Sequence, residues 1–463
     1  MTTTRRLKTP RTPGTDTTAQ GAARRARRKG RAAGFALLCA PLAFAASAQQ
    51  AAAPALGDGR SLGLNVGATW SDNLGRAPDT QPAQEDGWVD ASILANLRKN
   101  SPRLEGTLDA NVGYRTYTDS TFDDQVIGGF NLYGRAYIVP AYFSWVLEDN
   151  FGQGSVNAFA VESPQNSQSV NYLSTGPDIF FPIGDRSRAV LGARYGKTSY
   201  EDTPNDNDRR LVSLSFERRI ARPTVLRLTA GTEKVEFAES PVNTDYDVHE
   251  LTVGITAKGV KTTIDAEAGY SILDDGVDKD HGTVARFVMT RRMTARQNAS
   301  VTLGTEFSDS GGLFRVGQLA QGAGPQNANA IVGGDPLRAD YLFAAWTASG
   351  VRMSMRLSVD VRKERHETQT TLDVKRTSFG AETEYRLTPR VGVRLNGAYR
   401  KDKFDVVDTQ VDEKAYGGGL TWHMNPRLTL ALLYQRSDGS SGIGGNEFQE
   451  NRYTANLGYV RSR

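Results

Sequence analysis

Few residues of this chain have the type and spacing for covalent or metal chemistry. Its four histidines, His249, His281, His366 and His423, are scattered, and none has a metal-ligand neighbour at zinc spacing. His423, in Trp422-His423-Met424, reads as a hydrogen-bonded histidine at a strand end beside a turn. Asp274-Asp275-Gly276-Val277-Asp278-Lys279-Asp280 has the acidic rhythm of a calcium loop. It lacks the distal Glu and flanking helices of an EF-hand and reads as an acidic surface loop. No Ser-His or Asp/His hydrolase motif is recognisable, and the glycines form no phosphate cradle. No catalytic, cofactor or metal residue is therefore expected, and the chain is read as a non-enzyme.

The patterned polar residues are arginines and glutamates. Counting back from the turn at Thr388-Pro389 places Arg356, Glu382 and Arg394 at similar depth on the polar faces of three successive strands. Arg352, Glu384 and Arg386 would extend this ladder and line the same interior. A water-filled lumen permits such a wall of alternating charge, and lipid forbids it. Because the acids largely neutralise the arginines, the ladder is read as a brace rather than a selective anion site. A second candidate is Asp309–Arg338, the longest connection, uncharged between Arg315 and Asp335. An unstructured loop of this length is uncommon unless it has a task. Two readings stand equally: it folds into the mouth of the lumen and narrows it, with Phe314 and Arg315 at the constriction and Phe314 stacking on a sugar face, or it hangs outside as a disordered loop.

The elements that must position these residues are strands. In Val351–Lys363 every odd residue is apolar up to Val361, and every even one is Arg, Ser or Asp. Successive strand side chains point to opposite faces, so the segment has one apolar and one polar wall. Its length suits a tilted membrane-crossing strand, about 9–11 residues. The pattern recurs in Ser61–Trp70, Leu251–Ala257, Ile264–Tyr270, Val391–Leu395, Leu428–Tyr434 and Tyr453–Tyr459. Turns are expected at Asn100-Ser101-Pro102, Pro140, Gly184-Asp185-Arg186, Arg222-Pro223, Gly259, Thr294-Ala295-Arg296, Ser349-Gly350, Thr388-Pro389 and Asn425-Pro426. Longer connections, such as Asp119–Asp124, Glu201–Asp208, Gly152–Val170, Asp402–Asp408 and Ser437–Asn446, alternate with them. Trp70, Trp88, Trp145, Tyr195, Tyr270, Trp346, Tyr399 and Trp422 fall where interfacial aromatic girdles would lie. The fold class is all-β: a transmembrane antiparallel up-and-down β-barrel of about 18–20 strands, spanning 61–463.

Residues 1–48 read as a signal peptide for Sec export, and 49–60 as a periplasmic tail. Arg24–Arg31 is a basic n-region, Ala32–Ala46 an apolar run and Ala46-Ser47-Ala48 a cleavage site. This leader holds ten Lys or Arg and one Asp, so the +4 of the whole chain becomes −5 without it. The basic character belongs to the leader and gives no argument for nucleic acid. The single cysteine, Cys39, also lies there, which excludes a disulfide scaffold in the remainder.

Trp70-Ser71-Asp72-Asn73-Leu74 with Ala77-Pro78, Asn171–Pro177, Arg194-Tyr195-Gly196 and Tyr200-Glu201-Asp202 carry a family resemblance. The chain resembles outer-membrane β-barrel porins encoded with exopolysaccharide biosynthesis and exosortase-type sorting systems. The resemblance implies a Gram-negative outer-membrane barrel, a pore or scaffold linked to extracellular polysaccharide and its export machinery, and no catalytic residues. It departs at the last five residues, Tyr459-Val460-Arg461-Ser462-Arg463, where a terminal aromatic is customary. A general diffusion porin is the competing reading, and an outer-membrane hydrolase the third.

Overall fold

The computed structural model describes residues 59–238, 243–321, 335–441 and 446–462. The leader at 1–48 and the tail up to 58 lie outside the described residues. Twenty strands run in order: β1 Gly59–Ser71, β2 Asp86–Ser101, β3 Leu104–Tyr117, β4 Gln125–Val139, β5 Phe143–Gly154, β6 Gln168–Ile183, β7 Ser187–Tyr200, β8 Asn207–Ala221, β9 Thr224–Phe237 and β10 Tyr246–Lys258. They continue as β11 Thr262–Asp274, β12 Lys279–Thr294, β13 Gln297–Ser308, β14 Leu337–Ser349, β15 Met353–His366, β16 Val374–Arg386, β17 Val391–Phe404, β18 Thr409–Asn425, β19 Leu428–Ser441 and β20 Asn446–Ser462. The one helix of appreciable length among the described residues, α1 (Ser310–Gln321), lies between β13 and β14.

Each strand pairs antiparallel with the next, and β20 pairs back onto β1, so the sheet is a closed up-and-down barrel. Closure leaves no strand edge unpaired, the condition for crossing a bilayer with strands. All nine expected turns fall between strands at one end, and the longer connections gather at the other. Gly184, at φ +66°, takes the left-handed conformation that its turn requires. Gly128, at φ +89°, has no room for a Cβ, which would stand 2.1 Å from the Asn111 carbonyl oxygen. Two loops are shorter than the sequence suggested: β17 runs through Asp402 to Phe404, and β19 continues to Ser441.

Alternation sorts the two faces as expected. On β1, Leu62, Leu64, Val66 and Trp70 are exposed outside, while Asn65, Thr69 and Ser71 are buried inside. Trp70, Trp145, Tyr195, Tyr270 and Trp422 are likewise exposed on the outer wall. Trp88 departs from the expected girdle. It shares the inner face of β2 with Asp90 and Ser92 and is only 3% exposed. Its indole N–H donates to Asp90 (3.1 Å), and the Arg115 guanidinium lies 4.5 Å from its ring centroid. The parity of its own strand decides this, since Asp90 and Ser92 need the polar side.

Candidate functional site

Helix α1 divides the lumen. Its sequence, SGGLFRVGQLAQ, has little intrinsic helix preference because it carries three glycines. Asp309 starts it: its carboxylate accepts from the Gly312 N–H (2.8 Å), and its carbonyl accepts from Leu313 N–H (3.0 Å). Packing then holds it inside the barrel. Leu313 and Val316 sit against Leu337, Ala339, Tyr341 and Phe343, the inner face of β14. Phe314 packs on Val170 and Tyr172 of β6. Arg315 reaches Glu148 of β5 (3.5 Å), and buried Asp309 pairs with Arg209 of β8. The Arg209 and Arg315 guanidinium groups both lie over the Tyr172 ring. The helix therefore ties β14 to wall strands six to nine positions away around the barrel.

This geometry corrects one expectation. Phe314 is 2% exposed, so its ring is spent on Val170 and Tyr172 and is not offered to a sugar. Part of the connection, 322–334, lies outside the described residues.

On the side of α1 that faces β8–β13, the interior is largely filled. Val235, Tyr246, Val248, Leu273 and Phe307 form an apolar cluster there. Beside it, Arg286 is paired with Glu250 (2.9 Å), Glu267 (2.8 Å) and Glu306, and Tyr341 donates to Glu306 (2.8 Å). A cavity of about 100 Å³ remains.

The open space lies on the other side, in a cavity of about 280 Å³ walled by β1–β5 and β15–β20. Uncharged polar groups make up much of its lining, including Gln125, Gln153, Ser358, Asn396, Gln435 and Thr454. The arginines around it are committed within the wall. Arg115 pairs with Asp90 (3.2 Å), Arg400 with Asp402 (2.7 Å) and Arg452 with Glu450 (2.5 Å). Asp402, fully buried, also takes two hydrogen bonds from Arg376 (2.7 and 2.8 Å). Such a buried carboxylate is tolerable only because both flanking arginines are hydrogen-bonded to it.

The loop-end mouth of this cavity is closed down by two inward loops joined at Arg76. Its Nε donates to Glu450 (3.0 Å), and its Nη1 donates to the Glu162 carbonyl (2.5 Å) and to Glu413 (3.4 Å). The ring of Phe448 lies 5.1 Å from its guanidinium carbon. Arg76 adopts φ 51°, a left-handed conformation that costs a non-glycine residue roughly 1–3 kcal/mol. Burial works against its charge, but Glu413, Glu450 and Glu162 more than offset that and hold its pKa above the usual arginine value.

Glu162 lines the same mouth, and its carboxyl is pushed up by burial and then by Glu413, against the pull of Arg76, Arg400 and Arg452. A carboxyl whose folded pKa exceeds its unfolded one favours the docked loop when protonated. That preference is lost as the pH rises through the raised pKa. Single-channel conductance is therefore expected to increase from acid toward neutral pH, and Glu162→Gln to flatten the profile. A slope retained in the glutamine variant would assign the titration to another group.

The charge ladder is assembled in part. Arg356 stands opposite Glu382 across β15 and β16, and Glu384 opposite Arg394 across β16 and β17. Arg394 approaches both Glu382 and Glu384 at 3.5 Å. Arg352 and Arg386 do not join it: both are exposed at the turn end, Arg352 just before β15 begins and Arg386 as the last residue of β16. His423 closes the ladder, bonded through Nε2 to Glu384 (3.2 Å) and through Nδ1 to Thr429 (3.1 Å). It thereby braces β16, β18 and β19 near the turns. The Asp274–Asp280 loop is a hairpin tip whose Asp275 carboxylate accepts from Val277 and Asp278 N–H.

Sequence reasoning missed Arg76, Glu162, Asp402, Glu413 and Glu450. Only Asp72-Asn73 beside Arg76 gave a signal, and the structure uses it. Asp72 accepts from Asn451 (2.7 Å), and Asn73 donates to the Ala77 and Gln449 carbonyls (3.0 Å each), shaping the loop that presents Arg76.

Residues 346–460, from the end of β14 through β20, match the profile of the family described as "Putative beta-barrel porin 2". No curated protein matches the chain. Among solved structures, it is similar to a mutant of the ferric enterobactin receptor PfeA of Pseudomonas aeruginosa, at 8% identity over 88% of this chain and 81% of that one, TM-score 0.40. It is similar to the FrpB iron transporter of Neisseria meningitidis at 8% identity, covering 87% and 81%, TM-score 0.37. OccAB4 of Acinetobacter baumannii is similar at 10% identity, covering 88% and 98%, TM-score 0.34.

Proposed function

We propose that this porin-like outer-membrane β-barrel is a pore for uncharged, hydroxyl-rich solutes and serves the passage of an extracellular polysaccharide. The lining of the cavity walled by β1–β5 and β15–β20 carries the reading. Amides and hydroxyls such as Gln125, Asn396 and Gln435 face it, and its arginines are already paired within the wall. Those groups donate and accept hydrogen bonds with sugar hydroxyls without needing charge. The resemblance of Trp70–Leu74 and Asn171–Pro177 to porins encoded beside exopolysaccharide genes supports the polysaccharide as substrate, with its export machinery as partner.

Planar-bilayer recording tests the reading. Neutral oligosaccharides are expected to interrupt the current transiently, whereas small anions of similar size are not. Passage of unrelated sugars and amino acids into liposomes at similar rates would favour a general diffusion porin instead. Helix α1 sets the width in this reading. Replacing 310–321 by a short Gly-Ser linker is expected to raise conductance in a barrel that still folds. The excision must include Leu313 and Phe314, since these residues dock the helix.

A further inference from the structure

We propose that the outer wall of β15–β17, at the end bearing the long loops, binds the phosphate groups of an outer-leaflet lipid headgroup. The inference rests on the outer-membrane reading and is independent of what passes through the lumen. Lys363 stands directly opposite Lys375, and Lys375 directly opposite Lys403. All three share the outward face with Val361, Phe379 and Tyr399, and all three are exposed. Three ammonium groups thus lie in one row across adjacent strands, about 5 Å apart at the backbone. Like charges directly opposite one another destabilise a sheet. The row is costly unless an anion sits on it.

The protein supplies little of that anion itself. Lys363 and Lys375 have no ion-pair partner among the described residues, and Lys403 has Asp405 at 2.7 Å. Asp340, opposite Lys363, is engaged by Arg365 at 2.6 Å. Lys401 and Lys414 extend the basic field on the same face, facing Asp412 and Asp438. Asp438 is in turn held by Arg436 (2.9 Å). The Asp405 carboxyl is held below the usual range, first by its hydrogen bond from Lys403, with Lys363 and Lys375 adding to the effect. Elsewhere on the same rim the basic groups are neutralised locally: Arg210 and Lys234 both pair with Glu236 (3.0 and 2.8 Å).

Height selects the occupant. The lysine row lies four residues beyond the facing pair Phe379–Tyr399, roughly 13 Å along the strands at about 3.3 Å per residue. Immediately below it stand Val361, Thr377 and Lys401, and past them the outer face turns apolar and aromatic with Val359, Phe379 and Tyr399. The row therefore stands just above the hydrocarbon layer, on the wall that lipid surrounds. A phosphate fixed in that plane belongs to a lipid.

The test uses the full barrel, folded in neutral detergent and examined by native mass spectrometry with bis-phosphorylated lipid A as probe. A lysine near a membrane surface contributes about 1 kcal/mol, roughly fivefold in affinity, so Lys363→Gln/Lys375→Gln/Lys403→Gln is expected to bind on the order of a hundredfold more weakly. The corresponding triple arginine variant should retain binding, and Arg210→Gln should leave it unchanged. Heat-modifiable gel mobility confirms that each variant is folded, which exposed positions permit. Equal binding by the triple glutamine variant would overturn the proposal. So would equal binding of dephosphorylated lipid A, or displacement by inorganic phosphate at comparable concentration, which would mark a site for a free anion.

Discussion

Asp309→Ala is expected to undock α1 and to cost about 3 kcal/mol, the lower part of the 3–5 kcal/mol range for breaking a buried ion pair. The substitution leaves the Arg209 guanidinium inside the barrel, where its side chain is only 6% exposed. Glu233, 3.5 Å away, compensates part of that charge and sets the lower figure. The same change removes the carboxylate that accepts from Gly312 N–H at the start of a glycine-rich helix, which typically adds ~1 kcal/mol. The loss falls on the helix rather than on the wall, because β8 remains paired with β7 and β9 along its length. Two measurements check this. Protease protection of the β13–β14 connection should disappear in folded protein, and conductance should rise toward that of the helix deletion. Asp309→Asn should do less damage to the cap than to the ion pair, giving an intermediate result. A fully protected helix in Asp309→Ala would mean that Leu313 and Phe314 hold it unaided.

The second large effect concerns the outer wall. Leu357→Arg is expected to cost ~2–4 kcal/mol of folding free energy in lipid vesicles, the range for a cation near the bilayer midplane. Leu357 faces Ala381 across β16, between the outward rings of Tyr385 and Phe379. Gln435→Arg, on a lumen face that lines the cavity, is expected to cost under ~1 kcal/mol, because water in the cavity can receive the charge and screen it from Arg452 opposite. Ser358 is a poorer control than its place on the polar face implies, since it is 9% exposed and an arginine there would first displace its neighbours. Urea titrations of both variants against the parent separate the two faces. Equal costs would deny that the apolar wall meets lipid.

Much of the barrel was legible because its signals are local. Proline and glycine mark the turns through backbone geometry, and β15 displays its two faces in ten consecutive residues, Met353–Arg362. Trp88 was misplaced although the information was adjacent: Asp90 and Ser92 put their whole parity inside. Arg352 and Arg386 have the right parity but the wrong height, which depends on where each strand stops. Helix α1 was not readable from propensity, because SGGLFRVG is a poor helix former and acquires its shape from β6 and β14. The mouth of the cavity was the least legible part. Arg76 and Glu450 are 374 positions apart and meet only because the sheet closes.

That closure has a consequence for the order of assembly. The seam joins Ser61 to Ser462 through Ser71 to Arg452, so its contacts span nearly the whole described chain. Every other strand pair can zip to its sequence neighbour, but this one waits for both partners to exist. Pairings of such sequence separation are entropically expensive and slow to form. The seam is also stapled by side chains on both of its faces. Ser71 donates to Glu450 (2.7 Å), Asp72 accepts from Asn451, and Trp70 packs on Tyr453 at 5.9 Å between ring centroids. Arg76 adds its own bond to Glu450, so the loop that narrows the mouth cannot settle until the final strand arrives. A nascent barrel lacking β20 would thus present two naked edges and an unlatched vestibule together, and the seam and vestibule should gain protection from hydrogen exchange in a single late kinetic phase.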